Sequence, residues 1–230
     1  DQSDALAQIA AKNHFNGTVN PLAHFQKDLG YEFCREPSDK NPLISGPLKR
    51  SDCSPVTDGA AAVVLANTEV AATMEKAVAF RGTAQVNDFL PMTSRDVTQF
   101  EGAAEAWRQV YDRANISVND LDVVEVHDCF TIAELLIYEA MGLADKGKGA
   151  SVISDGISAK DGKLPVNPSG GLKSKGHPIG ATGVSMHVMA AMQARGDAGP
   201  LQIDGVEIAG VFNMGGSAVA NYASILEAVR

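Results

Sequence analysis

Three short segments carry residue types suited to acyl and proton transfer: His127-Asp128-Cys129-Phe130, His177-Pro178-Ile179-Gly180, and Phe212-Asn213-Met214-Gly215-Gly216. A neutral imidazole can take a proton as general base or donate to an oxyanion. A cysteine at a strand-to-helix junction can be a thiolate whose pKa is lowered by the helix N-terminus. The glycines at 215 and 216 expose backbone N–H groups with no side chain in the way, which suits an oxyanion hole. His177 sits inside Asn167–Gly183, reading NPSGGLKSKGHPIGATG. Glycines that dense mean backbone that turns sharply or closely approaches a ligand, because only Gly lacks the Cβ that forbids it. An apolar helical pattern follows directly, placing His177 on a loop at or near a helix N-terminus.

Simpler readings stand beside these. Cys129 can be a small buried hydrophobe. His127 and Asp128 can form a helix entry with Asp128 as N-cap, and His177 can be structural or solvated. A His-Asp-Cys zinc site is disfavoured, because adjacent residues on one turn rarely aim at one metal and no further ligand pair is present; no metal is expected. Gly147–Gly149 and Gly171–Gly176 lack the GxxxxGK[ST] register, so neither is a phosphate loop.

The elements that must position these groups follow from periodicity. Residues 2–15 predict an amphipathic helix with Leu6, Ile9, Ala10 and Phe15 on one face. Residues 17–54 are rich in Asn, Pro, Gly and charge and read as a functional loop region containing one short helix, NPLAHFQ. GAAAVVLAN (59–67), bounded by turn residues, reads as a fully buried strand or a tightly packed segment, followed by a short helix over 69–75. AVAFRGTAQV predicts a strand, 98–114 a helix, DVVEV a buried strand ending at His127, and 131–141 a helix. Residues 146–163 read as a Gly- and Lys-rich loop; VSMHVMAAMQARG is helical, and VEIAGVFNMGG and SAVANYASILEAV are adjacent strands. Strands alternating with helices indicate a layered α/β domain with helices on both faces of a mixed sheet.

Length and charge bound the rest. The 230 residues make one large or two small domains with ample length for a core. A formal net charge of −9, without a basic stripe, argues against nucleic-acid binding. No apolar run reaches the roughly 18 residues of a membrane span. Three widely spaced cysteines make neither a disulfide framework nor a CxxC pattern, so a reducing cytoplasm is the expected compartment. The C-terminal LEAVR is no SKL-type peroxisomal address. The chain opens mid-helix without an initiator Met, as a processed chain or a piece of a longer one would.

NPSGGLKSKGHPIGATG, VVEVHDCFTIAELLIYEAMGL and SPVTDGAAAVVLA together resemble the thiolase superfamily over essentially the whole chain. The HDCF form is similar to the sterol-carrier-protein-2 type rather than the NEAF form. The resemblance implies an α-β-α-β-α layered fold of two similar halves with five-stranded sheets, assembled as a homodimer or homotetramer. On that reading residues 1–53 are the remnant of the loop and CoA-binding region, 54–76 the end of an N-terminal half, and 77–230 the C-terminal half. The implied substrates are acyl-CoA and 3-ketoacyl-CoA thioesters, with coenzyme A as acyl carrier. His177 would activate a nucleophilic Cys and line one oxyanion hole, and Gly215 would contribute its N–H to a second. Cys129 would move the α-proton, because Asn213 stands where most members have a CxG cysteine. His127 replaces an Asn that holds an oxyanion-hole water, and Ser54 matches a serine that contacts the pantetheine arm.

One departure sets the limit of the resemblance. Neither Cys34 (YEFCREP) nor Cys53 has the family's nucleophile context, so the chain is expected to be inactive alone and completed by a further N-terminal half in the same or another chain. Two alternatives remain: a thiolase-like aldolase or subunit working with an OB-fold zinc partner, and a non-catalytic acyl-CoA-binding protein.

Overall fold

The computed structural model describes residues 1–229. Helix α1 (Ser3–Gly17) and the short α2 (Tyr31–Arg35) precede a two-stranded ribbon, β1 (Leu43–Ser45) and β2 (Leu48–Lys49). A single turn, α3 (Thr68–Ala71), leads to the long β3 (Ala77–Asn87), then α4 (Glu101–Ala114), β4 (Val123–Val126) and α5 (Thr131–Ala140). Helices α6 (Gly149–Ser154), α7 (Gly171–Ser174) and α8 (Thr182–Ala194) come next, and β5 (Ile208–Gly215) and β6 (Ala220–Val229) close the described chain.

The sheet has the order β3-β6-β5-β4, with β3–β6 and β5–β6 antiparallel and β4–β5 parallel. The mixed α/β class expected from the sequence is therefore present, with four strands where five were expected. The fifth position is reduced to a single parallel bridge between Val124 and Val166. There Pro165 O accepts from Val124 N–H at 3.0 Å, and Asn167 N–H donates back to Val124 O at 2.9 Å. Proline has no N–H for a ladder, and Asn167 leaves the extended region at φ 54°, so the strand cannot lengthen.

Strand alternation sorts the core into two layers. Val124, Phe212, Ala223 and Ile225 pack against α4, whose Trp107 stacks on Phe212 at 5.7 Å. Val123, Ala209, Val211 and Leu226 turn to the other face and meet Met186 and Ala190 of α8. Helices thus cover both faces, as the periodicity predicts. Trp107 is fully buried, and its truncation to Ala would cost roughly 3–5 kcal/mol.

Helix α1 lies against α5 and α7, and its last residue touches the Gly-dense loop closely. A Cβ on Gly170, at φ +93°, would lie 2.7 Å from Gly17 Cα, and one on Gly17 would strike Ser174 Oγ. Small residues there are a condition of the contact, not a flexibility device.

Five local expectations differ. Phe15, expected on the apolar face of the first helix with Leu6, Ile9 and Ala10, points away from that buried face and is 57% exposed. NPLAHFQ is a series of turns, because its N–H groups go to the Gly-dense loop: His24 N–H to Lys175 O (3.2 Å) and Phe25 N–H to Ser174 O (3.0 Å). The polar stretch around Cys34 is helical, and Cys34 is fully buried beneath α1 beside Ala7 and Ala10. The 146–163 loop contains α6, seated by Val152 in the α4–α5 core. The apolar run 59–67 is neither a strand nor buried: Val64 is 93% and Leu65 74% exposed. Its pattern is that of a strand flanked on both sides, but the described residues place no sheet beside it.

Candidate active site

The end of β4 carries His127, Asp128 and Cys129 directly into α5. All four β4 residues are buried, and Asn167 Oδ1 accepts from Val126 N–H at 2.8 Å, fixing the strand end to the Gly-dense loop. On the other side Ser54 N–H donates to Cys129 O at 2.8 Å, next to the Cys53–Phe130 bridge. Ser54 therefore lies beside Cys129. The N-cap of α5 is Phe130, without a side-chain cap, so Asp128 is not the cap expected. Its carboxylate turns to α7 instead, accepting from Leu172 N–H (2.6 Å) and Lys173 N–H (3.3 Å).

His177 is held at two points. Its backbone N–H donates to Thr57 Oγ1 at 2.7 Å, and its Nδ1 lies 2.7 Å from Thr182 Oγ1. The Thr182 hydroxyl spends its single proton on Pro178 O at 3.0 Å, so it accepts from His177. That network assigns the proton to Nδ1 and leaves the Nε2 lone pair free. Burial, then Lys175, pushes the His177 pKa below its ordinary value. The imidazole is neutral at pH 7, the form a general base requires.

His127 meets His177 edge to face, with ring centroids 5.0 Å apart and planes at 90°. Its Nδ1 lies 2.6 Å from Asn213 Oδ1 on β5. Burial, opposed by the Asn213 bond and reinforced by His177, lowers its pKa to about 4. Opposite Asn213, the first turn of α8 carries Gly183, where a Cβ would sit 3.0 Å from Asn213 Nδ2. Two residues further along β5, Gly215 is exposed at the strand end with open space where a side chain would be. The three segments singled out in the sequence thus converge on one spot.

The thiols depart from expectation. Burial first, then the adjacent Asp128, raises Cys129 to about 12, the reverse of the lowering that a helix N-terminus would give. Cys34 is raised to about 11, and Cys53 is also raised, both mainly by burial. None of the three is a ready thiolate. Cys129 packs against both layers of the core, as a small buried hydrophobe would.

A groove of about 440 Å³ opens beside His177, walled by Thr57–Ala61 on one side and Pro178–Ala181 on the other. Among the described residues no group of three His, Cys, Asp or Glu is arranged to hold a metal ion, and no helix is long and apolar enough to cross a membrane. Sequence reading missed Thr57, Thr182 and Asn167: the first two hold His177 and the third holds the strand end. Only their position inside the quoted motifs could have marked them.

Residues 83–228 match the family model described as thiolase C-terminal domain-like. An acetyl-CoA acetyltransferase of Methanothermobacter thermautotrophicus is 38% identical over 216 residues, 93% of this chain and 55% of that protein. Sterol carrier protein 2 of Oryctolagus cuniculus is 38% identical over 218 residues, 91% of this chain and 39% of that protein. The chain therefore spans about half or less of these curated relatives. Among solved structures, an Ltp2–ChsH2(DUF35) aldolase superposes with a TM-score of 0.86 at 22% identity, over 99% of this chain and 59% of that one. At that identity the likeness speaks for the fold alone. The matched domain, the two relatives and the convergence of HDCF, GHPIG and NMGG lead to one conclusion: the chain belongs to the thiolase family and corresponds to its C-terminal portion.

Proposed function

We propose that these residues are the C-terminal part of a 3-ketoacyl-CoA thiolase, an acyltransferase that forms or cleaves carbon–carbon bonds between acyl-CoA thioesters. The observation that carries this reading is the edge-to-face contact of two neutral histidines, His127 and His177, drawn from separate motifs, with Cys129 two residues along the chain from His127. In thiolysis the Nε2 of His177 takes the proton of a nucleophilic thiol as its sulfur attacks the keto carbon. The Cα–Cβ bond breaks, and its electron pair becomes the enolate of the departing acyl-CoA. Cys129 gives that enolate its α-proton, and His127 with the Gly215 N–H stabilises the negative oxygens. Coenzyme A then attacks the acyl thioester, its thiol proton going to the Cys129 thiolate, and the released nucleophile thiolate takes back its proton from His177. In condensation the same groups act in reverse, with Cys129 Sγ removing the α-proton.

The nucleophile comes, on this reading, from a further segment of the same polypeptide or from another chain. Two observations support that: none of the three thiols has a lowered pKa, and the 59–67 run is exposed despite its buried-strand pattern. Residues 54–76 would then form the edge of a second sheet. Coenzyme A would enter along the Thr57–Ala61 groove with Ser54 near its pantetheine arm.

The test is thiolysis of a 3-ketoacyl-CoA, with acyl-enzyme formation measured separately, by the native polypeptide that carries these residues. Thiolysis with both half-reactions impaired by His177→Ala is expected; near-normal acylation in that variant would sink the activation role. Retro-aldol release of a ketone, without acyl-enzyme, would replace thiolase by aldolase. Turnover by the 230 residues alone would overturn the need for a further segment.

A further inference from the structure

We propose that the Asp128 carboxylate is a positioning residue that locks the His177 loop in register with the Cys129 segment; this rests on the acid–base reading of those two residues. Asp128 is fully buried and sits between His127 and Cys129 in sequence. Its oxygens accept from Leu172 N–H at 2.6 Å, Lys173 N–H at 3.3 Å and Asn13 Nδ2 at 2.8 Å. The backbone of Gly171 packs directly on the carboxylate: at φ +59°, a Cβ there would lie 2.3 Å from Asp128 Oδ2. The loop then runs six residues from Gly171 to His177, pinned on the way by Ser174 Oγ to Phe25 O and Lys175 Nζ to Ser185 Oγ. Asp128 is the point where this loop meets the segment that carries the proposed proton carrier.

The three partners of Asp128 are all donors. A carboxylate satisfies them because, when ionised, it only accepts. An amide of the same shape would turn one NH₂ toward a donor, so Asp128→Asn breaks at least one of the three bonds. Protonating Asp128 has the same consequence. The charged and titratable groups facing it are Glu134 and Tyr138 from α5, Lys12 from α1, Lys173 and Lys175 from the loop, and Cys129 beside it. Asn13 Nδ2 also reaches Glu134 Oε2 at 2.6 Å, and Lys12 Nζ neutralises Glu134 at 2.7 Å. The clamp is therefore braced by α1 rather than by a cation on Asp128 itself.

The experiment compares wild type and Asp128→Asn in the native polypeptide, following α-proton exchange of acyl-CoA in deuterated water together with thiolysis. A shift of the two segments by an ångström predicts a fall in kcat of about 10²-fold, larger than the change in KM for acyl-CoA, because only the Pro178–Ala181 wall of the groove continues the shifted loop and the Thr57–Ala61 wall does not. Alkylation of Cys129 should move to lower pH in the variant, since a neighbouring negative charge is gone. Gly171→Ala, which forces α7 off the carboxylate but keeps the charge, should lose kcat without that alkylation shift. Should neither variant fold, hydrogen exchange on the unaltered native polypeptide decides: burial, then Glu134, raises the Asp128 pKa, so in mildly alkaline solution, where the carboxylate is ionised, the Leu172 and Lys173 amides should be among the slowest of the loop, and fast exchange there overturns the clamp. Wild-type kcat in a folded Asp128→Asn protein overturns it also. No α-proton exchange even in wild type would instead refute the acid–base reading.

Discussion

The Nδ1 of His127 lies 2.6 Å from the Oδ1 of Asn213, so a strand-end histidine and the neighbouring strand share one partly buried hydrogen bond at the centre of the site. The bond favours the imidazolium and partly offsets the lowering by burial. Asn213→Leu should leave a buried N–H unpaired, costing about 1–3 kcal/mol of stability. It should also push the His127 pKa further down from about 4. Urea unfolding checks the first effect and an NMR titration of the ring protons the second. An unchanged His127 titration would mean that this bond does not set the ring's charge.

Thr182 governs the other histidine. Because its hydroxyl donates to Pro178 O and accepts from His177 Nδ1, it chooses the tautomer with Nε2 free. Thr182→Val keeps the shape and removes the acceptor, so both half-reactions should slow by roughly 10–10²-fold. Thr182→Ser should restore most of the rate. Slow turnover in the Ser variant as well would point to lost packing of the γ-methyl instead of a lost hydrogen bond.

The contrast between these two histidines and their supports shows what sequence can and cannot display. The meeting of the His127 and His177 segments was legible because glycine density and strand-end placement are written in residue types. Helices α4 and α5 and strands β5 and β6 were legible because their apolar periodicity matches one face or both. Thr57 and Thr182 were not, since a hydroxyl in a loop has no pattern until its partner is in place. Asp128 looked like a cap for α5 because it stands before that helix, yet the N–H groups it satisfies belong to α7, 44 and 45 residues on. The 59–67 run misled for a different reason: a local pattern records what a segment is suited to bury, not whether its neighbours are present.

Cys129 is raised to about 12 by burial and by Asp128, so its reactivity should be that of a thiol. Alkylation by iodoacetamide, mapped by mass spectrometry, should be slow at pH 7 and accelerate only toward strongly alkaline pH. Cys129→Ala in the native polypeptide should abolish α-proton exchange while leaving acylation of the nucleophile largely intact. Loss of acylation as well would show that Cys129 acts earlier in the reaction than proposed.

His14 gives the fold a pH dependence separate from the site. It is buried near the end of α1, its Nδ1 has no hydrogen-bond partner, and its ring meets Phe25 edge-on at 5.1 Å. Burial first, then Lys173, lowers its pKa to about 3. The unfolded chain takes up this proton near the ordinary value of about 6.5, while the folded chain refuses it until about pH 3. His14 therefore contributes stability that is complete above the unfolded pKa and is lost as pH falls toward the folded one. By about pH 4.5 that loss amounts to roughly 3 kcal/mol. Other buried groups shift in both directions, so the measurement is a difference: urea unfolding of wild type and His14→Phe at about pH 7.5 and 4.5. The aromatic replacement keeps a ring against Phe25 but cannot be protonated, so wild type should lose more stability between the two pH values than the variant does. Equal losses would place the unfavourable proton elsewhere, with His127, lowered to about 4, next to be replaced.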